Sequence, residues 1–354
     1  MSMIYNLVSK ATSFLPPEFL HKCFIQYLKY TPKKNSSIFL NLKTSFCGKD
    51  IDNPLGIAAG FDKNGEAVSG CLKLGFGYVE VGTVTPMPQY GNSKPRVFKI
   101  PEYESIIQRL GFNNLGVENL IDNLKKSKAE SNNVIGINIG RNKNSSDHLA
   151  DYLNLYKIVS NYSDYITINI SSPNTPGLRD MQDKDQIDKL IIQISKLKNK
   201  KNTFIKISPD ISDNNLKNIC KISMNEEFIS GLILTNTTIK RDMLFKKPVR
   251  DSWKINESGG LSGHPLKKLS NKLIEKVYRI CKGKLMIIGV GGIYDGRDAF
   301  EKISLGANLI QLYTSLVYRG PSVVNNILEE LSTKLKEKGI KNVKDLVGRN
   351  ISYD

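Results

Sequence analysis

Eight strand-like runs, each followed by a helical stretch, constrain this chain more than any other feature. Apolar runs fall at 54–58, 78–82, 134–139, 165–170, 203–208, 231–235, 285–290 and 308–313. Helical patterns follow near 63–74, 114–128, 148–160, 183–199, 212–223, 265–281, 295–304 and 322–338. Strands that each return through a helix demand a parallel sheet, and eight such units close it into a barrel. The fold class is therefore α/β, a (β/α)8 TIM barrel. A doubly wound sheet would usually stop at five to seven strands, roughly, and would want a glycine-rich turn after its first strand. Ala58-Ala59-Gly60 is not that turn. With 354 residues and 40% hydrophobic content, two ordinary domains or one large barrel would both fit, and the alternation selects the barrel. Two connections, 83–113 and 236–264, are much longer than the rest. Both follow strands at the end of the barrel where active sites form.

Residues 1–45 stand apart from the barrel, 46–354. Ile4, Leu7, Val8, Ala11 and Phe14 recur at helical spacing, Pro16-Pro17 interrupts, and Phe19, Leu20, Phe24, Tyr27 and Leu28 repeat the pattern. Lys10, Lys22 and Lys29 accompany them. An N-terminal amphipathic helical hairpin of this kind is an interfacial anchor, a lid over an apolar slot, or a hairpin docked on the barrel. The net charge of +17 comes mostly from lysines dispersed over predicted outer helices, with no aromatic-interleaved basic stripe. That pattern speaks against nucleic acid as a partner and leaves an anionic lipid surface open. No run is long and apolar enough to span a membrane, and no secretory signal is visible. Five scattered cysteines, never spaced C-x-x-C, indicate a reducing compartment and no zinc site. Cys71 and Cys281 fall in helical patterns and are expected to be buried thiols.

The strand ends carry the chemistry. The first ends in Ala59-Gly60-Phe61-Asp62-Lys63, the second in Gly82-Thr83, the third carries Asn138, and the fifth carries Lys206. The sixth ends Thr235-Asn236-Thr237-Thr238, the seventh Gly289-Val290-Gly291-Gly292, and the eighth Gln311-Leu312-Tyr313-Thr314. After the fourth comes N-I-S-S-P-N-T-P-G-L-R (169–179), a loop stiffened by Pro173 and Pro176 and dense in neutral hydrogen-bonding groups. Such a loop suits a polar, planar ligand. Gly291 and Gly292, with a helix expected at once after them, suit a phosphate. No His, Asp or Glu cluster has metal-ligand spacing, so no metal is expected. No histidine stands near Ser172 in the motif order, which removes a hydrolase triad. Asp62 is expected to orient Lys63. Neutral hydrogen bonders, a lysine and a phosphate site together suit a flavin, whose reduced form a lysine stabilises.

At this point ten blocks, in order, carry a resemblance. They are N-P-L-G-I-A-A-G-F-D-K-N-G-E (53–66), G-F-G-Y-V-E-V-G-T-V-T-P (75–86), G-N-S-K-P-R-V-F (91–98), R-L-G-F-N-N-L-G (109–116), G-I-N-I-G (136–140), 169–179, T-N-T-T (235–238), G-G-L-S-G (259–263), G-V-G-G-I (289–293) and Y-T (313–314). The chain resembles the dihydroorotate dehydrogenases, specifically the quinone-dependent, membrane-associated class 2. The resemblance implies FMN held by Ala59, Gly60, Thr83, Asn138, Asn169, Lys206, Thr235, Gly263, Gly292, Tyr313 and Thr314. It implies dihydroorotate bound by Lys63, Gln108, Arg109, Leu110, Gly111, Phe112, Asn169, Asn174, Asn236 and Thr237. Ser172 would be the base that takes the C5 proton, relayed through Thr175 and water, while hydride leaves C6 for the flavin. Soluble class 1 relatives use a cysteine as base, and none of the five cysteines lies in that loop.

Two positions depart from the family pattern. Gln108 stands where asparagine is usual, and Lys99 where an arginine commonly serves the quinone site, keeping charge without the forked geometry. The implied reaction is oxidation of (S)-dihydroorotate to orotate in UMP synthesis, with quinone as final acceptor. The implied place is the cytoplasmic side of a bacterial inner membrane, held peripherally. The competing readings are another FMN barrel acting on a different pyrimidine or a 2-hydroxy acid, and a barrel that only binds membrane or nucleic acid. The 2-hydroxy-acid reading wants a histidine base at the mouth, and binding-only readings leave Lys63, Ser172, Lys206 and G-V-G-G without a purpose.

Overall fold

The computed structural model describes residues 15–30, 38–127 and 132–352. Eight parallel strands form a closed barrel. In order around it they are β3 (Leu55–Ile57), β4 (Tyr78–Val84), β7 (Val134–Ile139), β8 (Tyr165–Asn169), β9 (Asn202–Ile207), β10 (Ile229–Leu234), β12 (Met286–Val290) and β13 (Leu309–Leu312), which pairs back to β3. All eight expected strands are present. The helices between them are α2 (Val68–Lys73), α3 (Gly116–Lys126), α4 (His148–Val159), α5 (Lys184–Ser195), α6 (Asp213–Asn225), α7 (Lys267–Cys281) and α8 (Gly296–Ser304), with α9 (Thr314–Arg319) and α10 (Ser322–Glu337) after β13. Their apolar faces bury Leu120, Leu155, Ile191, Ile219, Ile274 and Leu331 against the outside of the barrel. Cys71 and Cys281 are buried there, as expected.

The barrel's lower end is closed by a hairpin absent from the sequence reading, β1 (Thr44–Phe46) paired antiparallel with β2 (Lys49–Ile51). It inserts Phe46 among the rings of Tyr78 (5.1 Å), Tyr165 (4.9 Å) and Phe204 (5.7 Å). The lower interior is thus a packed aromatic plug, and polar groups are confined to the layers above it.

The two long connections are not irregular. The first contributes β5 (Val97–Ile100) and β6 (Ser105–Gln108), the second β11 (Gly260–Gly263), and together they form one antiparallel sheet. Its outer face packs Phe98, Ile100, Ile107 and Leu261 on Leu244 and Ile255.

Of the expected N-terminal hairpin, the first helix lies outside the described residues. The second is α1 (Pro17–Lys29), begun by a proline at its first position and burying Ile25 and Leu28. It crosses α2 at Gly70, where a Cβ would lie 2.2 Å from the Leu28 carbonyl oxygen. Glu18 accepts two bonds from Arg96, from Nε at 3.0 Å and Nη2 at 2.8 Å, which fix the helix to the segment before β5. Among the described residues no helix is long and apolar enough to cross a membrane.

Candidate active site

Strand register sets the site. Inward-facing positions of β7, β8 and β9 carry Asn138, Asn169 and Lys206 as buried polar groups above the plug, Asn169 paired with Lys206 across adjacent strands, while Glu80 of β4 lies beneath them, level with Tyr165 through Gly136. Thr83 Oγ1 donates to Asn138 Oδ1 at 2.6 Å, and Asn169 Nδ2 donates to Thr83 Oγ1 (2.9 Å) and Asn138 Oδ1 (3.2 Å). Asn138 Nδ2 in turn donates to Glu80 Oε1 at 2.8 Å. Lys206 Nζ has no hydrogen-bond partner among the described residues, and burial pulls its pKa below the usual lysine value, with Glu80 opposing that shift. Thr235 Oγ1 and Ser315 Oγ are also buried without a partner among those residues.

The loop after β8 is pinned from three sides. Tyr152 OH donates to Asn169 O (2.8 Å), Arg141 Nη2 donates to Pro176 O, and Arg179 donates to Ser171 O (3.1 Å), Asp210 Oδ2 (3.0 Å) and Thr237 O (3.0 Å). Asp210 further accepts from Thr238 Oγ1 at 2.5 Å and Ile239 N at 2.9 Å, so one carboxylate joins the loops after β8, β9 and β10. Within this frame Ser172 is buried, and its Oγ accepts from Asn174 N at 3.3 Å. Asn236 Nδ2 donates to Ser171 Oγ at 3.0 Å, and Asn236 Oδ1 accepts from Thr237 N at 2.8 Å.

Gln108 does not swing away from the site. Its Oε1 accepts from Asn174 Nδ2 (3.2 Å) and Leu110 N (2.9 Å), so the longer carboxamide bridges the sheet of β5, β6 and β11 to the Ser172 loop. Gly111 O and Phe112 O accept from Gln89 Nε2, and the Phe112 ring lies over Gly140, where a Cβ would meet it at 2.9 Å. Arg109 is different. Its guanidinium pairs with Glu257, donates to Pro95 O at 2.9 Å and stacks 4.7 Å from the Phe98 ring, so its side chain is spent on the outer face of that sheet.

Lys63 sits in the loop after β3, half-buried and without a hydrogen-bond or ion-pair partner among the described residues. Burial lowers its pKa to about 8. Asp62 does not orient it. The Asp62 carboxylate accepts from Glu66 N (2.8 Å) and Ala67 N (2.7 Å), ahead of α2, and burial raises its pKa to about 6. Gly60 N donates to Gly82 O at 2.6 Å, which brings Ala59-Gly60 beside Thr83. Tyr313 lies 5.6 Å from Phe61 and 6.3 Å from His21 of α1. Thr314 Oγ1 donates to Ser262 Oγ at 2.9 Å, which brings Gly263 to the end of β13.

The glycine turn after β12 departs from expectation. Ile293, Tyr294 and Asp295 separate Gly292 from α8, and the first amides of that helix are already bonded to carboxylates. Asp295 accepts from Asp298 N and Glu330 from Gly296 N, both at 2.8 Å. The N-terminus of α8 is therefore not an anion site. Sequence reasoning also missed Glu80, Arg179 and Asp210 as organisers. The signals were a lone acid within the apolar run 78–84 and an arginine closing the 169–179 motif. His148 opens α4 and His264 packs edge-on against Tyr294 at 5.6 Å, so neither belongs to the strand-end layer. Among the described residues no cluster of His, Cys, Asp and Glu is arranged to hold a metal.

A family profile described as dihydroorotate dehydrogenase matches residues 41–335. The chain belongs to the dihydroorotate dehydrogenase family. It is an oxidoreductase, and its similarity extends to relatives of the quinone-dependent type. The mitochondrial dihydroorotate dehydrogenase (quinone) of Mus musculus is 40% identical over 94% of this chain and 87% of its own length. Dihydroorotate dehydrogenase (quinone) of Parvibaculum lavamentivorans is 39% identical over 99% of both chains. Among solved structures, DHODH from Eimeria tenella in complex with ferulenol superposes with a TM-score of 0.88 at 36% identity, covering 95% of this chain and 96% of that one.

Proposed function

We propose that the chain oxidises (S)-dihydroorotate to orotate in pyrimidine synthesis, holds FMN at the strand ends, and delivers the electrons to a quinone. The observation that carries this reading is the buried Lys206, paired across strands with Asn169 of the Asn138–Thr83–Asn169 network, the last strand residue before the Ser172 loop. A buried lysine and the buried Thr235 hydroxyl, neither with a protein partner among the described residues, fit an isoalloxazine's carbonyl and ring nitrogen atoms. Ala59, Gly60, Thr83, Asn138, Asn169, Lys206 and Thr235 would hold the ring system, and Gly263, Gly292, Tyr313 and Thr314 the remainder. Bound FMN supplies the acceptor for the C6 hydride and is reoxidised by quinone.

The protein's own groups do the rest. Lys63 meets the substrate carboxylate, and Asn174, Asn236 and Thr237 orient the ring through amides and a hydroxyl. Gln108 holds Asn174 in place, and Leu110 to Phe112 cover the substrate by backbone and ring. Arg109 contributes through its backbone, because its guanidinium is engaged with Glu257. Ser172 Oγ, accepting from Asn174 N, is left with its own proton to pass on as it takes the one from C5, with Thr175 as the next hydroxyl. Burial of the loop keeps water from competing for that proton.

The slot under α1, lined by His21, Phe24, Phe61 and Tyr313, is the proposed quinone entrance. Burial pushes the His21 pKa down to about 4, so the imidazole there is neutral and suits an uncharged ring. We assign residues 1–45 to this entrance and to peripheral attachment, on the cytoplasmic side of an inner membrane, and 46–354 to the catalytic barrel. The test is the absorbance spectrum of the purified protein before and after anaerobic dihydroorotate. Bleaching of an oxidised-flavin band, reversed by quinone, is expected. A flavin band indifferent to dihydroorotate would refute the substrate, and a protein that takes up no FMN would refute the cofactor.

A further inference from the structure

Glu80 is a fully buried carboxylate inside the barrel, between the aromatic plug and the polar layer, and nothing in the proposed reaction uses it. Its two oxygens take three donors: Asn138 Nδ2 at 2.8 Å, Gln311 Nε2 at 2.8 Å and Tyr165 OH at 3.1 Å. A carboxylate only accepts, so each of these groups is left with one sense. The Asn138 amide must point its NH2 down at Glu80 and its oxygen up, where that oxygen accepts from Thr83 and Asn169. Asn169 must then offer its own oxygen to Ser171 Oγ (3.0 Å) and Asn236 Nδ2 (3.4 Å). Turning Asn138 over would set its NH2 against the Asn169 NH2. Donor and acceptor sense therefore passes upward from one acid through two carboxamides to the Ser172 loop.

We propose that Glu80 is the positioning residue of the cofactor site: by accepting from Asn138 it sets the hydrogen-bond polarity of the layer on which the flavin lies. The inference rests on the FMN reading above. It also places the carboxylate where its charge supports the buried Lys206, which stands opposite Asn169 on the next strand.

The experiment compares FMN binding by apo-protein, followed by quenching of flavin fluorescence, in the full chain and three variants. Glu80→Gln keeps shape but brings an NH2 to a place where donors already converge. It is expected to weaken FMN by about tenfold or more, the cost of one mispaired buried contact. Adding Asn138→Asp restores the match, because the introduced glutamine amide then donates to a carboxylate that still accepts from Thr83 and Asn169. The double variant is expected to bind FMN roughly fivefold more tightly than Glu80→Gln alone. Tyr165→Phe removes a donor to Glu80 without touching Asn138 and is expected to change FMN affinity less than about threefold. A purely packing role would give no recovery in the double variant. Normal binding by Glu80→Gln, or a double variant no better than the single, overturns the inference. If Glu80→Gln does not fold, recovery of a soluble flavin-binding protein in the double variant supports the inference and its failure to recover overturns it. Failure of the parent chain to quench FMN would refute the cofactor reading itself, a separate result from a variant that merely matches its parent.

Discussion

The pH dependence of ligand binding follows from Lys63. This lysine lies in the loop after β3 with no partner among the described residues, and burial brings its pKa from 10.5 down to about 8. In the free protein its charge is therefore present below pH 8 and lost above it. A bound carboxylate restores the charge, since an anion beside an ammonium raises its pKa. Binding and protonation are thus linked, and affinity falls as pH rises through 8. One pH unit above that value only about a tenth of the free protein carries the proton, so the apparent dissociation constant rises about tenfold. The ligand's own carboxylate stays ionised throughout this range. Folding carries the matching sign: the ammonium burdens the native state most below pH 8, and the burden disappears as pH rises toward 10.5. The assay is a titration of the FMN-loaded protein with orotate, read from the flavin spectrum between about pH 6.5 and 9, with proton uptake followed by an indicator dye. Lys63→Met should bind weakly with no pH dependence over this range. An affinity that stays constant to pH 9 in the unaltered chain, or no proton uptake, would refute the assignment of Lys63.

Three further outcomes are expected. Ser172→Ala should retain FMN but slow its reduction by dihydroorotate by about 10²–10⁴-fold, read by anaerobic stopped flow, and an unchanged rate would remove Ser172 from the proton path. Gly70→Ala places a Cβ 2.2 Å from Leu28 O and should cost about 1–3 kcal/mol of α1 docking. Steady-state quinone reduction should then fall while anaerobic bleaching by dihydroorotate is unchanged, and parallel loss of both would contradict α1 as the quinone entrance. Asp210→Ala leaves Arg179 without its acid and frees three loops, and should lower stability by about 3 kcal/mol in chemical denaturation, with a loss of less than about 1 kcal/mol counting against the role of Asp210.

The barrel was legible because each strand is a short apolar run and each return a 3.6-period helix, two patterns that do not depend on distant residues. The residues brought to the strand ends were legible for the same reason: a strand's last position faces the mouth whatever its neighbours are. What was not legible depends on meetings between distant segments. The hairpin of β1 and β2 has strands of three residues, too short for a period. The sheet of β5, β6 and β11 joins two loops about 150 residues apart, which no local pattern records. Glu330 reaches Gly296 from α10 and so removes the helix end that the glycines had suggested for phosphate. Asp62 illustrates the opposite error, because adjacency to Lys63 suggested a pair, whereas two backbone amides further along the chain take both its oxygens. Gln108 was a departure by sequence, yet its extra methylene is taken up by a bond to Asn174.

The shared ladder of β6 and β11 also bears on how such barrels can be recombined. Gly260 stands opposite Gln108 and Gly263 opposite Ser105, so the connections after β4 and β10 hold a common register. A chimaera importing residues 85–113 from a relative, with 236–264 left native, would have to match that register across two unrelated inheritances. The two loops are one transplantable part, and variation selected in either has to be tolerated by the other.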